Sequence, residues 1–446
     1  MRDLILLVAL LGMAPFMLRA PILGLLAWIW ISLMNPQREV YGPLAGASLN
    51  IFVAIATMLA WAAAKERKSI PPNPTIILLG LLVVWTGVTT YFALEHSHTF
   101  ELFDRFAKTA VLVMFVAGMA NSKSRIQAVV WAIAVSLAYF GVKGGAFVLV
   151  TGGSGRVYGP EASMIADNNH LGLALVMLFA LLNYLRVTTQ AKVVRLGLMA
   201  VMAATLLAII GTYSRGALLA LGAMVAISAV RSRAGFLVLA AGVALVFIVP
   251  HIMPAAWFER MNTIGTADQD SSFMGRVEAW RTSFNIATQR VTGGGFASIE
   301  HQFVVDAFPT PGGLVSGRAA HSIYFQVLGD HGFVGLALYL GIIGFSLVNT
   351  VMILQQTRAR PDLLWANQLA RMLQVGIIAY MIGGAALSMA YYDAWLILLG
   401  LSAALLHVVR QGEASVPSVA SALPKWKAVD AEVPALPAPA ARRELR

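Results

Sequence analysis

Long apolar runs, separated by short charged loops, recur along most of this 446-residue chain. A helix needs about 20 apolar residues to cross the ~30 Å hydrocarbon core of a bilayer. Because backbone N–H and C=O groups find no water in lipid, each such run must form a helix. Uninterrupted apolar runs also exclude a transmembrane barrel, whose strands alternate apolar and polar residues. The pattern predicts an all-α, polytopic membrane protein.

The composition supports this prediction and excludes several kinds of function. Hydrophobic residues make up 59% of the chain and charged residues only 12%, against about 25% charged residues in soluble proteins. Since the chain has no cysteine, disulfides and thiolate catalysis are excluded, and zinc or iron–sulfur sites are not indicated. Much of the net charge of +11 comes from short loops beside apolar runs. We therefore predict membrane lipids as surroundings and no nucleic-acid partner.

The apolar runs predict about 12 or 13 membrane-spanning helices, the first two of which are short and could form a hairpin. Residues 2–18 are followed at once by Arg19 and a second apolar run, which indicates an uncleaved membrane segment rather than a signal peptide. The predicted spans are 2–18, 20–35, 47–64, 74–94, 101–121, 125–150, 170–186, 194–214, 216–231, 235–254, 322–354, 366–388 and 391–409.

The Lys and Arg residues of the short loops predict the orientation, because such residues are enriched on the cytoplasmic side. The loops that carry them alternate with the spans, so that all five face the cytoplasm. Residues 1–410 then form one transmembrane domain, and 411–446, rich in Ala, Pro and Ser, form a disordered cytoplasmic tail. The basic loop residues are Lys65, Arg67, Lys68, Lys123, Arg125, Arg186, Lys192, Arg195, Arg231, Arg233, Arg358 and Arg360.

Two loops on the opposite side, outside the cytoplasm, are rich in glycine and polar residues. They cover about 151–169 and 255–320. A long loop between helices is usually functional or disordered. Helical patterning around Phe273–Thr288 predicts that the longer loop is partly ordered.

Arg215 is the first candidate functional residue, because it lies between two spans that have almost no connecting loop, on the side where basic residues are depleted. An ionisable residue there is costly and indicates function. Its guanidinium offers a fork of donors that matches phosphate. The alternative is an arginine that extends to the interface, but Tyr213 and its neighbours make the surroundings polar.

Arg276 and Trp280 are four residues apart in the longer loop and therefore share a helix face. Arg276 is a second candidate for binding an anion, with Trp280 in a supporting role. A solvated amphipathic helix with ordinary surface charges is the alternative, and it is favoured for Arg281 and Arg290.

His321 ends the long loop and begins an apolar helix, three residues after Arg318. An unperturbed pKa near 6.5 suits a general base at neutral pH. The alternative is a histidine that merely lines the helix entrance. His331 is a second candidate, and Asp330 could partner either histidine. Five other histidines have no comparable context and are predicted to be structural or surface residues: His96, His98, His251, His301 and His407.

The 151–169 loop carries a weaker signal. Arg156 could contact an anionic group. Asp167, Asn168 and Asn169 immediately precede an apolar helix, so helix capping is the simplest explanation for them.

Motifs for nucleotide or metal binding do not occur in the sequence. It has neither a glycine-rich phosphate loop that ends in Lys-Ser/Thr nor an HExxH motif. We predict no metal and no cofactor. Basic and neutral groups on the outer side favour an anionic, already activated donor, in which arginines hold a diphosphate leaving group and a histidine deprotonates an acceptor hydroxyl.

Five motifs together resemble the bacterial O-antigen ligase and polymerase superfamily over roughly residues 1–410. The resemblance is closest to lipopolysaccharide O-antigen ligases and exosortase-associated O-glycosylation ligases. The motifs are RVYG through DNNHLG at 156–172, TYSRGALL at 212–219, GRVEAW at 275–280, GGGF at 293–296 and HSIYFQVLGDHGFVG at 321–335.

This resemblance implies a GT-C-type membrane glycosyltransferase that acts outside the cytoplasm. It implies a donor glycan on undecaprenyl diphosphate, transferred en bloc to lipid A–core without metal or nucleotide. Arg215 and Arg276 match arginines that engage the diphosphate, and His321 matches a histidine near the acceptor hydroxyl. In the polymerase motif the stretch at 167–169 often reads Asp-Pro-Asn. This chain departs from the pattern because Asn168 stands where the motif has Pro.

Three functions stay open on the sequence alone. An O-antigen ligase of the bacterial inner membrane is the leading prediction. A protein O-oligosaccharyltransferase or an O-antigen polymerase would use the same chemistry on another acceptor. A transporter of the lipid-linked glycan would place charged residues across the membrane midplane, whereas here they collect on one side.

Overall fold

The computed structural model describes residues 2–66, 68–231, 235–262 and 271–411. These residues form helices and turns, and no strand occurs among them. The α-helices are α1 (Arg2–Arg19), α2 (Pro21–Met34), α3 (Leu49–Ala63), α4 (Pro74–Tyr91), α5 (Ser97–Met119), α6 (Lys123–Thr151), α7 (Asn168–Thr188), α8 (Lys192–Gly211), α9 (Arg215–Arg231), α10 (Gly235–Ile248), α11 (Ala255–Asn262), α12 (Ser271–Gln289), α13 (Gln302–Ala307), α14 (Ile323–Gln356), α15 (Leu364–Gly384) and α16 (Asp393–Gln411).

Each predicted span coincides with a helix, so the all-α architecture is confirmed. The spans correspond to α1 to α10 and α14 to α16. The helical segment predicted in the long loop is confirmed as α12. Two further helices in that loop, α11 and α13, have 8 and 6 residues and were too short for a periodic pattern to reveal.

Six helices of the described residues are long and apolar enough to cross a membrane by length and composition: α4, α6, α7, α8, α14 and α16. Helices α3 and α9 are apolar but shorter. Helix α5 carries charged residues in its first half, and α15 carries polar residues such as Asn367 and Gln374, which lowers the mean hydropathy of both. Both of these polar side chains of α15 are buried inside the protein.

Two helices form the centre of the bundle. Within their apolar windows, 83% of α16 and 72% of α7 are buried, against 28% of α8. Trp395 of α16 is fully buried, stacks on Tyr380 of α15 at 4.3 Å and donates to the Tyr339 hydroxyl of α14 at 2.9 Å. Helix α16 thus holds α14 and α15 in place, and these two helices carry the candidate site at one end.

Basic loops meet at the other end of the bundle. Arg125 forms an ion pair with Glu66 at 2.6 Å, and Lys123 lies 5.8 Å from the Trp365 ring centroid. Three of the predicted basic loops therefore share one end of the molecule. Arg67 and Arg233 lie outside the described residues, and so does the predicted tail from 412 onward.

Helix α14 is broken where the long loop packs against it. Gly332 has φ 67°, and a Cβ there would lie 2.2 Å from the Val291 carbonyl oxygen. One turn earlier, the N–H of Gly294 donates to the Gly329 carbonyl and that of Gly295 to the Asp330 carbonyl, both at 2.9 Å. The GGGF segment thus ties the end of the long loop to α14 by backbone hydrogen bonds.

Candidate functional site

His321 lies at the entrance to α14 in a conformation that is uncommon for a residue with a side chain. Its φ is 47°, in the left-handed region. Its N–H donates to the Ser388 hydroxyl oxygen at 2.8 Å, in the turn between α15 and α16. This contact holds the half-buried imidazole at the junction of three segments, which are the long loop, α14 and the 385–392 turn.

The His321 imidazole is neutral at neutral pH. Burial lowers its pKa from the ordinary 6.5 to about 4, and the positive charge of Arg276 is the next largest cause. Arg318 and His170 act in the same direction, whereas the Asp167 carboxylate opposes them. In the free protein the neutral ring therefore has one unprotonated nitrogen, which can accept a proton.

Helix α12 carries Arg276 to this histidine, and Arg318 of the following loop packs against the same helix. The Trp280 indole N–H donates to the Ala320 carbonyl at 2.9 Å, and its ring stacks on Phe325 at 5.1 Å. The Arg318 guanidinium lies across Gly275, where an added Cβ would be 1.7 Å from Nη1. A glycine at 275 is thus required for Arg318 to lie beside Arg276, on the same side as His321.

Arg215 begins α9 in a tight turn after α8. Tyr213 has φ 57° and donates its hydroxyl to the Gly153 carbonyl at 2.7 Å. The Ser214 hydroxyl accepts from the Ala217 N–H at 3.2 Å and caps the helix. The Arg156 guanidinium carbon lies 6.0 Å from the Tyr213 ring centroid. Three sequence-predicted residues of the outer side are thus neighbours.

The end of α15 joins the Arg215 turn to the His321 segment through close helix packing. A Cβ at Gly216 would lie 3.5 Å from the Gly383 carbonyl oxygen. On the other side of α15, a Cβ at Gly384 would lie 2.9 Å from the Ile323 side chain. Arg215 and His321 therefore flank the same end of α15.

The sequence did not single out Asp167 and His170 as site residues. Asp167 caps α7, as predicted, by accepting from the N–H groups of Asn169 at 2.8 Å and His170 at 3.4 Å. Its charge and that of His170 also act on His321. Asn168, where the polymerase motif often has proline, donates to the Thr212 carbonyl at 2.6 Å. The DNNH run was visible, but its proximity to His321 was not encoded in any local pattern.

Asp330 and His331 belong to a different, fully buried cluster. Tyr391 donates to Asp330 Oδ2 at 3.1 Å. His331 Nδ1 lies 2.7 Å from the Thr89 hydroxyl, and its ring packs edge-on against Phe296 at 4.4 Å. Asp330 lies nine residues beyond His321, roughly 13 Å along a helix axis. The structure places Asp167, rather than Asp330, among the charges that act on His321.

The arrangement suits an anionic ligand. Half-buried Arg276 and exposed Arg318 act on the neutral His321, beside one exposed carboxylate. Half-buried Arg215, with the exposed Arg156 near it, lies on the other flank of the same end of α15. Among the described residues, no group of three or more His, Asp or Glu side chains lies close enough to hold a metal ion. Guanidinium groups bind the oxygens of phosphate through paired hydrogen bonds.

Comparison with known families assigns the segment that contains most of these residues. Residues 200–340 match a family described as O-antigen ligase. This match supports the O-antigen ligase and polymerase superfamily for that segment of the chain. Residues 1–174 match a family of unknown function (DUF5935). No curated protein matches the chain.

The match thus confirms the superfamily predicted from the motifs. It covers some of the candidate site residues but not all of them. Arg215, Arg276, Arg318 and His321 lie inside the O-antigen ligase segment. Arg156 and Asp167 lie inside the segment whose family has no described function. The candidate site is thus assembled from both segments.

Proposed function

We propose that this protein is a glycosyltransferase of the O-antigen ligase type, which moves a glycan en bloc from undecaprenyl diphosphate to lipid A–core. The observation that carries the proposal is the neutral, half-buried His321 beside Arg276, in a segment that matches O-antigen ligases. The arginines supply what an anionic leaving group needs, and the histidine supplies what an attacking hydroxyl needs.

The donor diphosphate would lie between Arg215 and Arg276, with Arg156 and Arg318 at its exposed edge. These guanidinium groups neutralise the charge that builds on the leaving oxygen as the glycosidic bond breaks. Tyr213 holds the 151–169 loop through its bond to Gly153, and Trp280 holds α12 against the His321 segment. Both are positioning residues.

The reaction needs one bond to form and one to break at the anomeric carbon. The acceptor oxygen attacks this carbon, and the electron pair of the broken C–O bond leaves with undecaprenyl diphosphate. The His321 imidazole takes the hydroxyl proton and later returns it to water. Attack opposite to the leaving group inverts the anomeric configuration. The chemistry requires neither ATP nor a metal ion.

The proposal places the site on the periplasmic side of the bacterial inner membrane, in a GT-C-type fold with about 12 crossings. The basic loops that meet at the opposite end of the bundle support this orientation. The tail after residue 411 would then be cytoplasmic.

The decisive experiment is transfer by purified protein in liposomes that contain the lipid-linked donor, with excess EDTA and no nucleotide. Three acceptors are offered separately: lipid A–core, the growing polymer and a pilin protein. Transfer to lipid A–core supports the ligase. Transfer only to polymer or pilin identifies a polymerase or a protein O-oligosaccharyltransferase. Movement of the donor across the bilayer without release of undecaprenyl diphosphate identifies a transporter. Activity that EDTA abolishes and one metal restores contradicts the proposed chemistry.

A further inference from the structure

The end of the bundle opposite His321 contains a cavity of about 860 Å³ between the last turns of α14 and the first turns of α15. Arg358, Arg360 and Arg371 line it together with apolar side chains of both helices. Because His321 precedes α14 and this cavity follows its last turn, the two sites lie at opposite ends of a 34-residue helix. The cavity cannot be part of the glycan-transfer site.

Arg371 is the residue that needs an explanation. It lies seven residues into α15, about 10 Å along the helix axis, at the level of the last apolar turns of α14. Its Nε donates to Asn367 Oδ1 at 2.9 Å, and this partner is neutral. Asp362 pairs with Arg360 at the mouth of the cavity. A guanidinium at membrane depth is costly unless an anion compensates its charge.

Arg358 and Arg360 alone would follow from the preference for basic residues in short cytoplasmic loops. Arg371 does not, because it lies within a helix rather than in the loop. The neighbouring Asn367 is held in turn, since its amide donates to the buried Thr357 hydroxyl at 2.8 Å. Asn367 therefore holds the exposed Arg371 side chain at the cavity that Arg358 also lines.

The walls decide what kind of anion fits. Val351 and Leu364, which line the cavity, are 41% and 56% exposed, and Leu354 extends the apolar surface between them. A free phosphate ion would gain nothing from these side chains. A lipid would bury them under its acyl chains while its phosphate reaches the arginines, and basic pockets between membrane helices bind anionic headgroups in this way.

We propose that this cavity binds one anionic glycerophospholipid, whose phosphate lies between Arg358 and Arg371 and whose acyl chains cover Val351, Leu354 and Leu364. Arg360 stands at the mouth and is partly neutralised by Asp362. The proposal does not depend on the glycan-transfer reaction, because it uses none of the residues around His321.

The test compares lipid retention by the full-length protein in nanodiscs of phosphatidylcholine with increasing phosphatidylglycerol. Native mass spectrometry counts the phosphatidylglycerol molecules that stay bound after the protein is released from the nanodisc. Wild type should keep one. The double variant Arg358→Gln with Arg371→Gln should bind this lipid about 10- to 30-fold more weakly, because each arginine near an anionic lipid contributes roughly 1 kcal/mol.

The matched control removes two positive charges from a different basic segment. Lys192 and Arg195 are both exposed at the start of α8, so Lys192→Gln with Arg195→Gln changes the net charge equally and should leave retention unchanged. Arg371→Lys, which keeps the charge but loses the fork, should bind with intermediate affinity.

A photoreactive phosphatidylglycerol locates the site in the unaltered protein and should label residues between 351 and 374. Labelling elsewhere overturns the proposal, and so does equal retention by the double variant and its control. Equal retention of phosphatidylcholine would mean an apolar groove without anion selectivity. Inorganic phosphate at millimolar concentration is the competitor. If it displaced the bound lipid, or protected the protein from photolabelling as well as unlabelled phosphatidylglycerol does, the site would be one for a soluble anion.

Discussion

An imidazole acts as a base only while it is unprotonated, and His321 meets this condition across the neutral range. Burial and the charge of Arg276 lower its pKa to about 4, so the neutral form persists at any higher pH. A bound diphosphate changes the balance, because a nearby negative charge stabilises the protonated imidazolium and raises the pKa. The same arginines that hold the donor would thus prevent premature protonation of the base, and the donor itself would make proton transfer favourable.

The pH profile provides the first prediction. The acidic limb of kcat/KM, which reports the free enzyme, should lie near pH 4, with a plateau above it. The limb of kcat should lie at higher pH, since the bound donor raises the pKa. His321→Ala should lower turnover by about 10²–10⁴-fold, with donor binding largely retained. His321→Gln accepts a hydrogen bond but no proton, so near-normal turnover with an unchanged profile in that variant would leave His321 only an orienting role.

The arginines provide the second prediction. Arg215→Ala and Arg276→Ala should insert normally in the membrane but lose donor affinity, because a charge-assisted contact contributes about 1.5–3 kcal/mol, or roughly 10- to 100-fold. Lysine should restore little of it, since the planar fork is lost. Binding of a labelled undecaprenyl diphosphate measures the effect, and Arg195→Ala, at an exposed position on α8, is the control. Full activity in either alanine variant would remove that arginine from the site.

The sequence suggested the separate residues of the candidate site, but it did not show which side chains lie next to them in the fold. Arg215 and His321 stood out because they lie at span ends on the side where basic residues are depleted. Arg276 stood out because it shares a helix face with Trp280. Asp167 follows a local rule, helix capping, so nothing in the sequence distinguishes it from any other capping residue. Its action on His321 exists only because the fold brings the residue before α7 near the residues before α14. Asp330 attracted attention through its closeness in sequence to His331, yet the fold buries it against Tyr391.

At the level of elements, helix α12 sets the positions of Arg276 and Arg318 relative to His321. Its Trp280 is fixed at both faces, by the Ala320 carbonyl and by the Phe325 ring. Four residues earlier, on the same face, Arg276 is therefore directed towards the residue that follows Ala320. The amphipathic pattern predicted the helix but not this contact, because the partner lies 40 residues further along the chain.

Gly275 provides the prediction for this element. Gly275→Ala places a Cβ where the Arg318 guanidinium now lies, and the flexible arginine should move away at little cost in stability. Glycan transfer should fall several-fold while the melting temperature stays unchanged or rises, since alanine favours a helix by about 1 kcal/mol over glycine. Gly222→Ala in α9, where nothing lies within 4 Å, should keep full activity. A loss of stability in Gly275→Ala with normal transfer would show that Arg318 has no role.

The kink of α14 illustrates what periodicity misses at this scale. The apolar pattern over 322–354 predicts one continuous helix, and the structure breaks it at Gly332. Hydrophobicity is indifferent to the break, because residues on both sides remain buried or face lipid. The cause is the GGGF turn, which comes from a distant part of the long loop and donates its N–H groups to α14 carbonyls. Only the folded arrangement brings the two motifs together.

Across the whole molecule, the helices were predictable because lipid imposes their length and apolarity. Which helices pack against each other was not predictable. Each helix presents similar apolar side chains on all faces, so the sequence does not tell α16, at the centre, from α8, at the edge. Small residues resolve this in the structure: Gly141 and Gly145 of α6 would each collide with α8 if they carried a Cβ. Packing of this kind depends on pairs of helices and is invisible in either one alone.

The absence of cysteine allows a direct test of how the whole molecule lies in the membrane. Val315, 86% exposed in the long loop, and Gln190, exposed between α7 and α8, lie in loops assigned to opposite sides. In intact cells whose outer membrane has been permeabilised, a membrane-impermeant maleimide should label Val315→Cys but not Gln190→Cys. Both should react once the inner membrane is dissolved in detergent. The unaltered chain, which has no thiol, is the blank. Labelling of Gln190→Cys in intact cells would show that the orientation is the reverse of the proposed one. His321 and the arginines would then lie on the cytoplasmic side, which contradicts glycan transfer outside the cytoplasm.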